Sequence, residues 1–161
     1  MGRFFDAVAA ICGIRQVVNY EAQAAIEFEA MADPDETGEY DFVIEPAADL
    51  ENKLLQINSS TLIEAVITDI HNGVEIPVIS ARFHNSVARM VLILCNQIRK
   101  EYAVAHVALS GGVWQNITLL RRTESLLSAD NFIVHIHHQV PTNDGGLALG
   151  QAVVALHRMA T

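Results

Sequence analysis

Apolar residues recur at helical spacing through the first hundred positions of the chain. Residues 4–13 and 21–33 each carry such a pattern, and Gly13 should end the first helix because glycine tolerates the backbone turn that follows one. Residues 80–100 are apolar on nearly every face, which is typical of a helix buried at the centre of a fold. This part of the chain is therefore predicted to be mainly helical.

Two short segments between these helices alternate apolar and polar residues. They are residues 40–46 and 53–58, which are predicted to be strands that pair as a hairpin. A further helix follows, and Thr61 and Glu64 have the spacing of a capping box at its start. The Asn-Gly pair at residues 72–73 should end it.

The last third of the chain changes to an alternation of strand and helix. Residues 105–110 and 131–137 predict strands, and residues 116–130 and 146–160 predict amphipathic helices. This order and spacing predict a right-handed βαβ unit with parallel strands. The predicted fold class is therefore α/β, with a parallel βαβ unit at the C-terminus and several packed helices.

A glycine-rich segment follows each of these two strands, SGG at residues 110–112 and NDGG at residues 143–146. Parallel sheets bind ligands at the carboxyl ends of their strands, and both segments fall there. Glycine has no Cβ, so a flat or anionic ligand can approach the main chain, and the amides of the next helix can face it. We expect the two strand exits to converge on one pocket.

Composition limits the kinds of partner. Apolar residues make up 51% of the chain and charged residues 18%, a globular profile that leaves apolar surface for a partner to cover. The net charge of −9 argues against a nucleic-acid partner, although one local site could still hold a nucleotide. The apolar run at residues 90–95 is too short to span a membrane, and no membrane partner is expected. Cys12 and Cys95 belong to no CxxC motif, which favours two reduced, buried thiols in a cytoplasmic protein.

Two polar residues beside the glycines each allow a structural and a functional interpretation. Asn116 could be the N-cap of the helix that it begins, or could hydrogen-bond the ribose or phosphate of a nucleotide. Asp144 could cap the last helix, or could project into the cleft as a ligand of a hard cation, zinc or iron. One carboxylate holds a metal poorly, so other ligands would have to come from elsewhere.

Three histidines and one aspartate are further candidates. His135 and His137 lie on one face of a strand, where two imidazoles could bind a metal, and a solvated outer face is the alternative. His84 is interpreted as a polar position on the long helix. Asp6 stands among apolar residues near the start of the first helix and should be capping, paired or functional.

Five segments together resemble one enzyme family over nearly the whole chain. They are GRFFDAVAAICGI (2–14), YEAQAAIEFEAMA (20–32), RFHNSVARMV (82–91), VALSGGVWQN (107–116) and VPTNDGGLALGQAVVA (140–155). The last two are the most specific. In this order they resemble the C-terminal part of the HypF carbamoyltransferases of NiFe-hydrogenase maturation, with the TsaD-type tRNA threonylcarbamoyl transferases as wider relatives.

The resemblance implies an actin-like or sugar-kinase fold of the ribonuclease H-like class. Residues 1–161 would be the C-terminal lobe of its TsaD-like carbamoyltransferase domain. It also implies an activity in which ATP and carbamoyl phosphate give carbamoyl-adenylate and the carbamoyl group passes to the C-terminal cysteine of HypE. That group later becomes a cyanide ligand of the hydrogenase iron. The implied cofactors are ATP and a divalent metal, and HypE is the implied protein partner.

The resemblance assigns roles to five residues. Asp6, Gly111, Gly112 and Asn116 would border the nucleotide, and Asp144 would be a metal ligand. No catalytic side chain is assigned.

The chain also departs from the family pattern. Ala22 stands where the family motif YEGQAA has a glycine that would let the nucleotide approach, so the departure bears on nucleotide affinity. The family's metal-binding histidine motif and first phosphate-binding loop would lie upstream of residue 2. The chain is therefore expected to be an inactive fragment that self-associates through the face left by the missing lobe. The alternatives are a non-catalytic docking or scaffold lobe, and a relative of the tRNA threonylcarbamoyl transferases.

Overall fold

Six helices and four short strands form the computed structural model, which describes residues 1–46 and 55–160. Short 3₁₀ turns at Gly112–Gln115 and Asp144–Gly146 precede the last two helices. In chain order the elements are α1 (Gly2–Ile11), α2 (Gln23–Ala30), β1 (Val43–Pro46), β2 (Leu55–Asn58), α3 (Ser60–His71), α4 (Ile76–Tyr102), β3 (His106–Leu109), α5 (Ile117–Ala129), β4 (Ile133–Ile136) and α6 (Leu147–Ala160).

The main core lies where α1, α2, α3 and the start of α5 pack around the first half of α4. The rings of Phe5 and Phe28 contact that of Phe83, with centroid distances of 4.9 and 5.8 Å. Each such buried side chain stabilises the fold by about 1.5–3 kcal/mol. The predicted central burial of α4 is confirmed for this half and is wrong for the second half, where Ile98 is 52% exposed. The buried core residues are Phe5, Val8, Ala9, Ala24, Phe28, Tyr40, Leu62, Val66, Ile79, Phe83, Val87, Ala88 and Leu119.

α4 is the one helix in residues 1–46 and 55–160 that is long and apolar enough to cross a membrane, judged by length and composition alone. The short apolar run at residues 90–95 lies inside this 27-residue helix. Half of its most apolar 18-residue window is buried, and the helix packs against α2, α3 and α5. Packing within the fold therefore accounts for its apolar composition.

Two helices end at the glycines predicted to end them. Gly13 and Gly73 follow α1 and α3 with φ of +74° and +73°, a left-handed conformation that glycine adopts without strain. In both places the amide after the glycine donates to the third-last helical carbonyl, at 3.0 Å. This is the Schellman arrangement, which satisfies carbonyls left open at a helix end.

The predicted capping box at the start of α3 is wrong. The helix begins at Ser60, so Thr61 already lies inside it. The Thr61 hydroxyl donates instead to the Asp41 carbonyl at 3.3 Å, and Asn58 Oδ1 accepts from the Ser60 amide at 3.0 Å. The asparagine that precedes the helix thus holds its first turn.

The four strands form two separate pairs. β1 and β2 pair antiparallel, which confirms the predicted hairpin; residues 53 and 54 of its second predicted strand lie outside the described residues. β3 and β4 pair parallel, with His106 opposite Ile133 and Leu109 opposite Ile136. The parallel strands of the predicted C-terminal unit are thus confirmed.

One face of the parallel pair packs on α4 and α5. Leu109, Leu127 and Phe132 form this second cluster, and Trp114 contacts both it and the main core. α6 differs from the other helices because all its side chains from residue 147 to residue 159 are exposed. An apolar helix is therefore left uncovered beside the carboxyl ends of β3 and β4.

Candidate functional site

The two glycine-rich segments lie against each other, as the sequence predicts. The Gly111 amide donates to the Thr142 carbonyl at 2.8 Å, and the Thr142 hydroxyl donates back to the Gly111 carbonyl at 3.2 Å. Gly111 has φ of +106° and ψ of 160°, a conformation that is essentially restricted to glycine. A side chain at Gly111 would strain the backbone at the point where these two bonds hold the segments together.

The second segment is a tight turn that also needs glycine. A Cβ added at Gly146 would lie 2.5 Å from the Pro141 carbonyl oxygen, closer than atoms can approach. Asn143 Oδ1 accepts from the Gly145 amide at 3.1 Å and so caps this turn. Asn143, not Asp144, therefore makes the capping bond, and the Asp144 carboxylate is left available.

A cavity of about 640 Å³ lies where the two segments meet α6. This volume is within the range of small-molecule sites. The Asp144 carboxylate lines the cavity and is exposed, and no group in the described part of the chain donates to it or pairs with it. The lining residues are Ser110, Gly111, His137, Pro141, Thr142, Asn143, Asp144, Gly146, Leu147, Gly150, Gln151, Val154, Ala155 and Arg158.

A serine and a histidine meet at the edge of this cavity. His137 Nε2 lies 2.9 Å from Ser110 Oγ, and both side chains are exposed. The sequence predicts His137 as the last residue of a strand, but β4 ends one residue earlier. The signal that could have placed it is its position, because both residues directly follow the ends of parallel strands, where ligands bind.

Asn116 caps α5, as its structural interpretation predicts. Its Oδ1 accepts from the Leu119 amide at 2.7 Å. Its Nδ2 lies 2.9 Å from His84 Nε2, so both ends of the amide are in use. Asn116 does not line the cavity. A contact with a nucleotide stays a prediction for this residue.

His84 lies on the long helix α4, as predicted, but in the interior of the fold. It is fully buried, and its ring lies 5.1 Å from that of Phe5 and 5.7 Å from that of Phe28. Its Nδ1 lies 2.7 Å from the Ser80 carbonyl oxygen. Burial lowers the pKa of His84 to about 4, so the imidazole is neutral at physiological pH.

Asp6 is half-buried on α1, and its Oδ1 atom is buried with no hydrogen-bond partner among the described residues. It therefore makes neither the capping bond nor the ion pair that the sequence left open. A buried acceptor without a donor costs stability unless some other group supplies one. A contact of Asp6 with the nucleotide stays a prediction.

The histidine-rich strand does not build a metal site. His135 stacks on His106, with His135 Nε2 2.9 Å from His106 Nδ1, while His137 turns to Ser110. No group of three or more potential metal ligands occurs within the part of the chain that the structure describes. Asp144 alone does not complete a metal site, so a metal there would need ligands from outside these residues.

The cysteines are thiols of low reactivity. Cys12 and Cys95 are free and half-buried, less buried than the sequence predicted. Burial raises the pKa of Cys12 to about 11 and also raises that of Cys95, which keeps both protonated. Neither is a candidate nucleophile.

Comparison with known proteins adds the family to this geometry. The family model described as "Carbamoyltransferase, Kae1-like Domain, second subdomain" matches residues 1–151. The carbamoyltransferase HypF of Synechocystis sp. is 31% identical over 97% of this chain, and that of Rhodobacter capsulatus is 32% identical over 98%. A crystal structure of full-length HypF in the phosphate- and nucleotide-bound form superposes with a TM-score of 0.88 and 43% identity over 96% of this chain.

The match covers almost all of this chain but only part of each relative. The chain spans 19% of the Synechocystis protein, 20% of the Rhodobacter protein and 20% of the crystallised one. The α/β fold with its parallel strand pair agrees with the structure of that relative. The chain therefore belongs to the HypF carbamoyltransferase family and corresponds to the second subdomain of its Kae1-like domain.

Proposed function

We propose that this chain is the lobe of a HypF-type carbamoyltransferase that holds the nucleotide end of carbamoyl-adenylate during transfer to the C-terminal cysteine of HypE. This transfer would serve synthesis of the cyanide ligand of NiFe-hydrogenase, in the cytoplasm. One observation carries the proposal. Two glycine turns that follow adjacent parallel strands are bonded together at one cavity, beside the Asp144 carboxylate, which pairs with no residue in the described part of the chain.

The residues of the cavity suit a nucleotide. Gly111 brings bare backbone to the edge of the cavity, where a phosphate or ribose can approach it. Leu147 and Val154 of α6 offer apolar surface that can cover a base. The Ser110 hydroxyl and the His137 imidazole can exchange a hydrogen bond with a ribose hydroxyl or donate to a phosphate oxygen.

Asp144 is proposed as one ligand of a divalent metal shared with residues outside this chain. Its carboxylate is exposed in the cavity and pairs with no described residue. A divalent cation there would offset the charge of a bound phosphate. The described residues contain no group of three potential metal ligands, so the remaining ligands would come from outside them.

Binding of ATP with a divalent cation tests this proposal directly. Isothermal titration calorimetry should detect binding to the unaltered chain and a large loss in Asp144→Ala. Asn116→Ala should weaken binding indirectly, because Asn116 caps α5 directly after the turn that begins at Gly111 and Gly112. Asp35→Ala removes another exposed carboxylate, one that does not line the cavity, and this variant should bind as the unaltered chain does. Absence of any heat of binding to the unaltered chain would overturn the proposal.

The chain alone is expected to have negligible carbamoyl transfer activity. Transfer needs a closed site that excludes water and is lined on both sides, and this chain spans about a fifth of its relatives. A steady-state assay with HypE and carbamoyl-adenylate should show no turnover above the uncatalysed rate. Turnover by the chain alone would contradict this expectation.

A second candidate function is a docking lobe without a nucleotide. The uncovered apolar helix α6 favours it, because exposed apolar patches mark interaction surfaces. This alternative predicts binding to HypE or self-association with no effect of ATP. Calorimetry that detects HypE but not ATP would favour it over the nucleotide-holding lobe.

A further inference from the structure

A chain of four hydrogen bonds runs through the interior from α2 to the start of α5. The Ser80 hydroxyl donates to the Phe28 carbonyl at 2.6 Å, and His84 Nδ1 lies 2.7 Å from the Ser80 carbonyl oxygen. His84 Nε2 then lies 2.9 Å from Asn116 Nδ2, and Asn116 Oδ1 accepts from the Leu119 amide at 2.7 Å. The side chain at the end of this path is the cap that follows the SGG turn.

The chemistry of these groups fixes where the protons lie. A carbonyl oxygen can only accept, so His84 Nδ1 carries the hydrogen and donates to Ser80. Nε2 is then an acceptor, and it takes the Nδ2 hydrogen of Asn116. If the Asn116 amide were flipped, its oxygen would face the Nε2 lone pair and its nitrogen would face the Leu119 amide. His84 therefore selects the orientation in which Asn116 can cap α5.

Packing restricts rotation of the His84 imidazole. α1 and α2 present the rings of Phe5 and Phe28 to it, and the residue is fully buried. Among the described residues, the charged side chain that acts on the ring is Arg122 of α5, which opposes a positive charge on it. Glu29 of α2 is directed to the same helix end but accepts from the Thr118 amide at 2.9 Å.

We propose that His84 is the positioning residue of the SGG turn, holding Asn116 so that the backbone from Gly111 onward keeps the shape that borders the cavity. Asn116 connects the 3₁₀ turn to α5 through its backbone. Its backbone amide donates to the Val113 carbonyl of the turn, and its backbone carbonyl accepts from the Leu120 amide in α5. An effect of His84 on ligand affinity rests on the proposed nucleotide site. The positioning of Asn116 by His84 does not depend on that site.

Two substitutions separate positioning from simple packing. In His84→Gln the amide oxygen of glutamine reaches the place of Nε2 and can still accept from Asn116. In His84→Asn the shorter side chain can still donate to the Ser80 carbonyl oxygen, but it leaves Asn116 Nδ2 without its acceptor. Nuclear magnetic resonance should find the Asn116 side-chain amide signals preserved in the first variant and displaced in the second. Amide hydrogen exchange at Leu119 should be about tenfold faster in the second only, because a buried hydrogen bond is lost.

A pH titration keeps the test decisive if His84→Asn fails to fold. A protonated imidazole has two donors, so Nε2 would repel Asn116 Nδ2 and the Asn116 signals of the unaltered chain should change in acid. In His84→Gln they should not. Identical acid behaviour in these two proteins, or unchanged Leu119 exchange in folded His84→Asn, would overturn the proposal.

ATP affinity completes the test and separates it from the proposed function. His84→Asn should lower the affinity about tenfold, and His84→Gln should retain it. Equal affinity of folded His84→Asn and the unaltered chain would refute a role in shaping the nucleotide site. If the unaltered chain binds no ATP, the proposed function fails, while the Asn116 and Leu119 measurements still decide the positioning role.

Discussion

At the scale of single residues, Ala22 shows what the family glycine does at its position. Ala22 precedes α2 with φ of +62° and ψ of 11°, in the left-handed region where a Cβ is crowded. The sequence interpretation was that glycine there lets a nucleotide approach. The backbone supplies a different reason, because the turn into α2 itself favours glycine. It also explains why α2 begins at Gln23, two residues later than predicted.

Ala22→Gly should therefore stabilise the protein. Removing the Cβ relieves about 1–2 kcal/mol of left-handed strain, and the greater freedom of glycine in the unfolded chain offsets part of this gain. Urea denaturation should find a free energy of unfolding that is higher by roughly 0.5–1 kcal/mol. Ala25→Gly is the control. Ala25 lies inside α2, so glycine there should lower the free energy of unfolding by about the same amount. Destabilisation by Ala22→Gly would contradict the argument.

His84 should make stability fall in mild acid. Its pKa is lowered from 6.5 to about 4 in the fold, so the unfolded chain binds the proton first as pH falls. Stability is complete above pH 6.5, declines between pH 6.5 and pH 4, and has lost about 3 kcal/mol below that range. Urea denaturation across this range measures the decline.

A comparison of variants isolates the contribution of His84. His84→Gln should remove this part of the pH dependence, and His138→Gln, which changes an exposed histidine, should keep it. Parallel curves for the unaltered chain and His84→Gln would show that other groups cause the decline.

The residue scale also marks the limit of prediction from sequence. Asn116 was recognisable as a cap because its partner, Leu119, is three positions away. The burial of His84 was not recognisable, because its partner Asn116 is 32 positions away and the rings of Phe5 and Phe28 that cover it come from α1 and α2. Local spacing therefore predicted the local bond and not the tertiary one.

At the scale of elements, the glycines separate into those that a fold needs and those that it tolerates. A Cβ added at Gly146 would lie 2.5 Å from the Pro141 carbonyl oxygen, while one added at Gly150 in α6 would have nothing within 4 Å. Gly146→Ala should destabilise the chain by about 1–3 kcal/mol through overpacking. Gly150→Ala should stabilise it by up to about 1 kcal/mol because alanine is the better helix former. Thermal and urea denaturation of the pair check both signs.

Helix propensity alone would not explain a loss of stability in Gly146→Ala beside a gain in Gly150→Ala. If Gly146→Ala were as stable as the unaltered chain, the turn would have room that the geometry denies it.

Element boundaries were predictable where a backbone signal is local. Gly13 and Gly73 end their helices as predicted, because a left-handed residue there follows from the chemistry of glycine alone. The capping box failed because Thr61 and Glu64 have the right spacing but Asn58 competes for the helix start through its own side chain. The pairing of β3 with β4 was predicted from the order of elements, which restricts strand direction more strongly than any single residue does.

At the scale of the whole molecule, the distribution of apolar surface is uneven. The helices before β3 surround a core of buried aromatic and aliphatic side chains, whereas α6 is apolar and exposed along its length. Leu149, Val153 and Leu156 are 53%, 57% and 67% exposed. A high apolar fraction in the sequence predicted such a surface, but not its place, since an apolar helix pattern reads the same whether a neighbour covers it or not.

This surface predicts that the isolated chain self-associates through α6. Burying exposed leucine and valine side chains against a second copy removes apolar surface from water, at about 25 cal/mol for each Å². Static light scattering at rising concentration should therefore find a mass above 17.6 kDa. The double substitution Val153→Glu and Leu156→Glu should restore the monomer, since carboxylates resist burial.

The control must change the charge equally and leave α6 intact. Val17→Glu with Ile98→Glu adds the same two charges outside α6, at side chains that are 77% and 52% exposed. If both double variants dissociate alike, charge repulsion explains the result and α6 is not the contact. If only the α6 variant dissociates, the same substitutions can be tested against ATP binding, because Val154 of that helix lines the cavity. Association through α6 should then compete with the nucleotide, and ATP should shift the unaltered chain towards the monomer.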